Sequence, residues 1–74
     1  MTPASDHAIV LVSSVLARMT YSLDATLELV FQNGTIYRYV AVPRGVVDGL
    51  MVADSKGAYF NAHIRNRFRA QRLT

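Results

Sequence analysis

The spacing of apolar and polar positions divides the chain into two parts. In "TLELVF" (26–31), Leu27, Leu29 and Phe31 alternate strictly with Thr26, Glu28 and Val30, which is the period of a half-buried strand. "TIYRYV" (35–40) repeats that period, and Asn33-Gly34 between the two runs is a strong hairpin signal because both residues tolerate positive φ. Upstream, "IVLVSSVLARMTYS" is apolar and rich in β-branched residues. Its strand is placed at Leu16–Tyr21, where Leu16, Arg18 and Thr20 alternate with Ala17, Met19 and Tyr21. "SLDA" reads as the turn that follows.

Beyond residue 42 the period lengthens. Pro43 suits the first turn of a helix, where its missing N–H goes unmissed. Val46, Val47, Leu50 and Met51 then recur at helical spacing, and the helix is expected to end near Asp54. Gly45 and Gly49 each cost it about 1 kcal/mol against alanine, so packing must hold it in place. Ser55 is the candidate N-cap of a second helix through "KGAYFNAHIR". Tyr59 or Phe60, His63 or Ile64, and Phe68 are spaced to cover the sheet. Arg65, Arg67 and Arg69 alternate by two, which fits an extended tail after residue 65 at least as well as a longer helix. The expected architecture is α+β, a three-stranded antiparallel β-meander covered by two short C-terminal helices. Residues 1–7 form a flexible N-terminus and residues 8–74 a single domain.

The register of the hairpin decides the role of Tyr37 and Tyr39. A two-residue turn pairs Leu29 with Arg38 and sets both tyrosines beside Glu28 and Val30, as a stacking platform for bases. A three-residue turn with Gly34 in the left-handed region pairs Leu29 with Tyr37 and Leu27 with Tyr39, and turns both rings to the core. A slip of one residue exchanges the faces. Burial is the expectation, because tyrosine usually serves as packing.

Composition narrows the functional classes. At 74 residues, with 51% hydrophobic and 18% charged residues, the chain is a folded domain too small for a second lobe or a deep substrate cleft. It has no cysteine, hence no disulfide and no thiolate metal site. "AIVLV" (8–12) is far too short to span a bilayer, and a cytoplasmic location is expected. Catalysis has little to stand on. His7 lies in the N-terminal tail, and His63 has no acid within four residues on either side. No carboxylate pair, serine elbow or set of metal ligands is present. A non-enzyme without cofactor or metal follows as the expectation.

Charge adds a positive indication. Residues 1–54 hold three arginines against five acids, whereas residues 55–74 hold Lys56, Arg65, Arg67, Arg69 and Arg72 and no acid. The first part is therefore net −2 and the second +5, an asymmetry that attracts polyanions or an acidic protein face. Lys56 and Gly57 at a helix start suit a phosphate oxygen, against the plain alternative of an ordinary helix start. The arginines suit a row of phosphates, against the alternative of a solvated helix end. Tyr59, Phe60 and Phe68 among them can stack on bases or simply cover the sheet.

The chain also resembles a known family, on motifs that run through most of its length. These are Ser13-Ser14, Tyr21, Leu27-x-Leu29-x-Phe31 followed by Gly34, Tyr37-x-Tyr39 with Val42-Pro43, Ser55-Lys56-Gly57-x-Tyr59-Phe60-Asn61, and Ile64-Arg65 with Phe68. Together they resemble the KTSC domain, named after a C-terminal domain of some lysyl-tRNA synthetases, from about residue 12 to 70. Thr20 stands where the family usually has glycine, and Val47 where an aromatic is frequent. The resemblance implies a small bacterial or phage domain for which RNA binding has been suggested.

The first functional expectation is a nucleic-acid-binding module, RNA foremost. It uses Lys56, Gly57, Arg65, Arg67, Arg69 and Arg72, with Tyr37 and Tyr39 as stacking residues. The alternative is a protein-interaction module on nucleic-acid machinery such as RNA polymerase or a CRISPR effector. It would meet an acidic protein surface with the basic face, or add Ile9, Val10, Leu11 and Val12 as a strand. The third is a structural or homodimeric protein whose basic tail is incidental, which predicts no retained partner.

Overall fold

Short connections join the first four strands, and two helices then carry the chain across one face before a last strand returns beside the fourth. The structure, a computed structural model, describes residues 8–74. The strands are β1 (Ala8–Val10), β2 (Leu16–Tyr21), β3 (Leu27–Phe31), β4 (Ile36–Tyr39) and β5 (Ala70–Arg72). The helices α1 (Arg44–Val52) and α2 (Lys56–His63) lie between β4 and β5 in sequence. The sheet is antiparallel throughout, in the order β1-β2-β3-β4-β5. The α+β class and the two helices agree with the sequence reading, but the sheet has five strands where three were expected. Both additions are three-residue edges, too short for a period of two to register. The expected flexible N-terminus, residues 1–7 with His7, lies outside the described residues.

The β3–β4 hairpin takes the longer turn. Gly34 has φ +89; its N–H donates to the Phe31 carbonyl at 2.9 Å, and the Phe31 N–H donates to Thr35 O at 2.8 Å. Asn33 Oδ1 accepts from the Thr35 N–H at 3.0 Å. Leu29 therefore pairs with Tyr37 and Leu27 with Tyr39. Both tyrosines turn to the face the helices cover, Tyr39 buried and Tyr37 half-buried.

β2 corrects the expected alternation. Leu16 pairs with Phe31 but Arg18 with Val30, so Ala17 is the extra residue of a β-bulge. A bulge shifts the facing of every residue beyond it. Leu16 thus joins Met19 in the core instead of sharing a face with Arg18 and Thr20. Ser13 supports the turn that leads in, its Oγ accepting from the Val15 and Leu16 N–H groups, each at 3.1 Å.

α1 begins one residue later than Pro43, which takes the N-cap position in extended conformation. It buries Val47 and Leu50; α2 buries Phe60, with Ile64 just beyond. These side chains meet Leu16, Met19, Leu27, Leu29, Tyr39 and Val42 from the sheet side. Ser55 caps α2 as expected, accepting from the Ala58 N–H at 3.2 Å. At Gly49 the Tyr59 side chain of α2 packs against the α1 backbone. A Cβ there would lie 2.7 Å from Tyr59 Cζ, and the Tyr59 hydroxyl donates to Val46 O at 2.8 Å. Val42, at the entrance to α1, is held through both backbone groups. Its N–H donates to Ala25 O at 2.9 Å, and its carbonyl accepts from the Tyr21 hydroxyl at 2.6 Å.

Candidate functional site

α2 covers only part of the sheet. After it the chain turns back through residues 64–67, with the Arg65 N–H donating to Phe60 O at 2.8 Å and the Arg67 N–H to Ile64 O at 3.0 Å. Asn66 takes φ +60 in that turn, a left-handed conformation that asparagine adopts more readily than most residues. The reversal leaves a cleft of about 610 Å³ between the end of α2, the turn and β4–β5. Phe31, Tyr37 and Tyr39 line it from the sheet, Phe60 and Phe68 from the side, and Asn61, Arg65 and Asn66 bring polar atoms to it.

The rings in the cleft pack mainly edge to face. Phe31 meets Tyr37 at 5.9 Å between centroids and 84°, and Phe60 at 5.2 Å and 78°. Tyr39 meets Phe60 at 5.9 Å and 73°, and tilts 36° from Tyr37. Such pairs set ring faces against ring edges, the favourable quadrupole arrangement. Tyr39 is only 4% exposed. Burial pushes its hydroxyl up to about 12, nearby Tyr37 adds to the rise, and the Arg65 guanidinium pulls the other way.

The predicted cations separate into groups. Arg65 lines the cleft and its Nη1 lies 3.5 Å from Asn61 Oδ1, as donor. Arg72 pairs directly with Tyr37 across β4–β5, so the register gives it the same face. Arg67 is exposed on the connecting turn. Ala70 lines the cleft, so alternation sends Arg69 and Gln71 to the opposite face, beside Arg38. Among the described residues the ion pairs are Arg38–Glu28 and Arg44–Asp48, both at 3.6 Å. None of the four C-terminal arginines is neutralised by an acid there.

Lys56 and Gly57 are not brought to the cleft. They lie at the other end of α2, about 12 Å along its axis, in a neighbouring hollow with Ser13, Ser14 and Asp54 that shares Val15 and Asn61 with the cleft. Lys56 Nζ donates to Ala53 O at 2.9 Å, and a Cβ on Gly57 would lie 3.0 Å from Val15 Cγ2. Glycine there lets α2 sit close to the β1–β2 connection. His63 packs its ring on Tyr59 at 4.5 Å. Ile9 and Val10 lie on edge strand β1, Val10 76% exposed, and Val12 beyond it is 92% exposed, whereas Leu11 is 6% exposed and belongs to the core. The apolar N-terminal segment therefore does not present one continuous surface. Phe31, Asn61 and Asn66 were absent from the sequence-based site; Asn66, a residue that tolerates positive φ, was the signal for the turn.

The KTSC domain model matches residues 12–68. The chain belongs to the KTSC domain family. A KTSC domain protein from Yersinia pestis has the same fold, with a TM-score of 0.87 and 26% identity over 92% of this chain and 97% of that one. A lysine–tRNA ligase of Nostoc punctiforme is 36% identical over 62 residues, 82% of this chain but 11% of the ligase. A Stutzerimonas stutzeri protein of uncharacterized function is 44% identical over 54 residues, 72% of this chain and 76% of the other. The KTSC chain thus spans about a tenth of the ligase it matches.

Two of the motifs that carried the resemblance have clear structural roles. Tyr37-x-Tyr39 lines the cleft, and Ser55-Lys56-Gly57 forms the capped, closely packed start of α2. The two departures are accommodated. Thr20 pairs with Ala8 and Glu28 within the sheet, and Val47 fills the core. Among the described residues no helix is long and apolar enough to cross a membrane.

Proposed function

We propose that this KTSC domain is a non-catalytic nucleic-acid-binding module, with RNA as its ligand, acting in the cytoplasm. The observation that carries the reading is Arg65 beside an aromatic cleft, with Arg72 paired to Tyr37 and Arg67 exposed on the adjoining turn. Unneutralised arginines contact phosphates, and aromatic rings offer stacking surface for bases. The matching region of lysine–tRNA ligases, whose name places tRNA among their substrates, lends support from relatives. Lys56 stands apart from this surface and adds at most long-range attraction.

Fluorescence anisotropy of labelled RNA and DNA oligomers across a salt series tests the proposal. For a single strand the log–log slope is about −0.7 per phosphate neutralised, so the Arg65→Ala/Arg67→Ala double variant should lower its magnitude by about 1.4. Absence of binding even at low salt would sink the proposal. A second reading, a protein partner added at the sheet edge, draws on exposed Val10 and Val12 beside β1. It predicts a partner retained by the wild type and lost on Val10→Lys, with no dependence on Arg65.

A further inference from the structure

The aromatic cleft is more specific than a phosphate-binding surface requires. Its volume of about 610 Å³ falls in the range of small-ligand sites, about 300–1,000 Å³. No acid lines it, and Arg65 is its cation. We infer that the cleft takes one unpaired base of a single-stranded RNA, with Arg65 on a phosphate of the same nucleotide or its neighbour. This deepens the nucleic-acid reading above and rests on it.

Three observations favour a base. The rings of Phe31, Tyr37, Phe60 and Phe68 lie recessed between the sheet and the end of α2. A paired base keeps its faces inside the duplex stack, so only a base splayed out of a helix reaches such rings. The polar atoms at the cleft match a base edge. Asn61 uses its carbonyl oxygen toward Arg65, leaving its amide N–H groups to donate, and the Asn66 amide stands nearby. Charge complements an anion, since residues 55–74 contain no acid. Arg65 lines the cleft while staying exposed to solvent, so its guanidinium is free to reach a phosphate at the cleft mouth.

The test compares an unstructured RNA oligomer with the same sequence in a blunt duplex, and adds adenosine 5′-monophosphate to the protein under NMR observation of its aromatic rings. The single strand should bind about fivefold to 150-fold tighter than the duplex, since stacking one base is worth about 1–3 kcal/mol. The nucleotide should shift ring resonances of Tyr37, Phe60 and Phe68. Phe68→Leu and the exposed Asn61→Ala should each weaken single-strand binding severalfold without altering the salt slope. The second variant leaves the core untouched, should the first perturb the fold. Equal affinity for duplex and single strand, with neutral Phe68 and Asn61 variants, overturns the inference while salt-dependent binding keeps the nucleic-acid reading. Failure of every oligomer to bind removes that reading itself. Ring shifts produced by an acidic tryptophan-containing peptide and not by the nucleotide assign the cleft to a protein and likewise overturn the inference.

Discussion

Replacing Gly49 by alanine sets two opposing effects against each other, and the structure decides the sign. Within a helix, Gly→Ala is worth about 1 kcal/mol in favour of folding, and Gly49 lies inside α1. The new Cβ, however, would lie 2.7 Å from Tyr59 Cζ and 2.9 Å from Cε2, well inside van der Waals contact. Tyr59 must then swing away. It loses its hydrogen bond to Val46 O, worth about 1 kcal/mol net, and part of the burial of a half-buried ring, about 1–2 kcal/mol. Its stacking on His63 at 4.5 Å is disturbed as well. The losses exceed the gain, so Gly49→Ala should destabilise by about 1–2 kcal/mol, read from urea denaturation followed by circular dichroism. In a Tyr59→Ala background the obstruction is gone, and the same substitution should stabilise by about 1 kcal/mol. The reversal of sign between backgrounds is the signature of the α1–α2 contact. Stabilisation in the wild-type background would refute the reasoning and show that Tyr59 moves aside at little cost.

Further outcomes follow from single groups. The folded domain holds Tyr39 neutral, its hydroxyl raised from 10 to about 12, so its contribution is complete below pH 10 and is lost as pH rises from 10 toward 12. A rise of about two units is worth at most about 3 kcal/mol, reduced to about 1–2 kcal/mol where the cleft admits water. Tyr39→Phe should flatten that alkaline loss in urea midpoints taken at pH 9 and 11, and an unchanged loss would assign it elsewhere. Tyr21→Phe removes the donor to Val42 O at 2.6 Å and should cost about 1–2 kcal/mol in urea denaturation with an unchanged m-value. An unaltered midpoint would show that water replaces the hydroxyl freely.

The parts of the fold that could be read from sequence are those governed by local rules. Strict alternation gave β3 and β4, Ser55 gave the start of α2, and Gly34 after Asn33 restricted the hairpin to two registers. Choosing between those registers depends on which face the helices cover, and that is not local. The bulge at Ala17 is equally silent, because alanine fits either facing and only the pairing of Leu16 with Phe31 reveals the inserted residue. β1 and β5 acquire strand geometry from their neighbours on the sheet. The arginines were visible as a charge cluster, but their division between the cleft, the turn and the outer face depends on where β5 docks. The cleft was not legible at all. It exists because α2 stops at His63 and the chain reverses at Asn66, bringing rings from 31–39 and from 60–68 around one space.

The clamp on Val42 links parts of the molecule that would otherwise be separable. Its N–H is held by the β2–β3 turn and its carbonyl by Tyr21 of β2, yet Val42 belongs to the entrance of α1. Lifting the helical layer off the sheet therefore strips two hydrogen bonds from the far hairpin, and opening that hairpin releases the entrance to α1. Opening either layer therefore breaks the same two hydrogen bonds, which couples the central strands and α1 as one unit. β5, held at the sheet's edge by β4 alone, stands outside that unit. The strand that carries Arg72 beside Tyr37 thus depends on β4 for all of its sheet pairing.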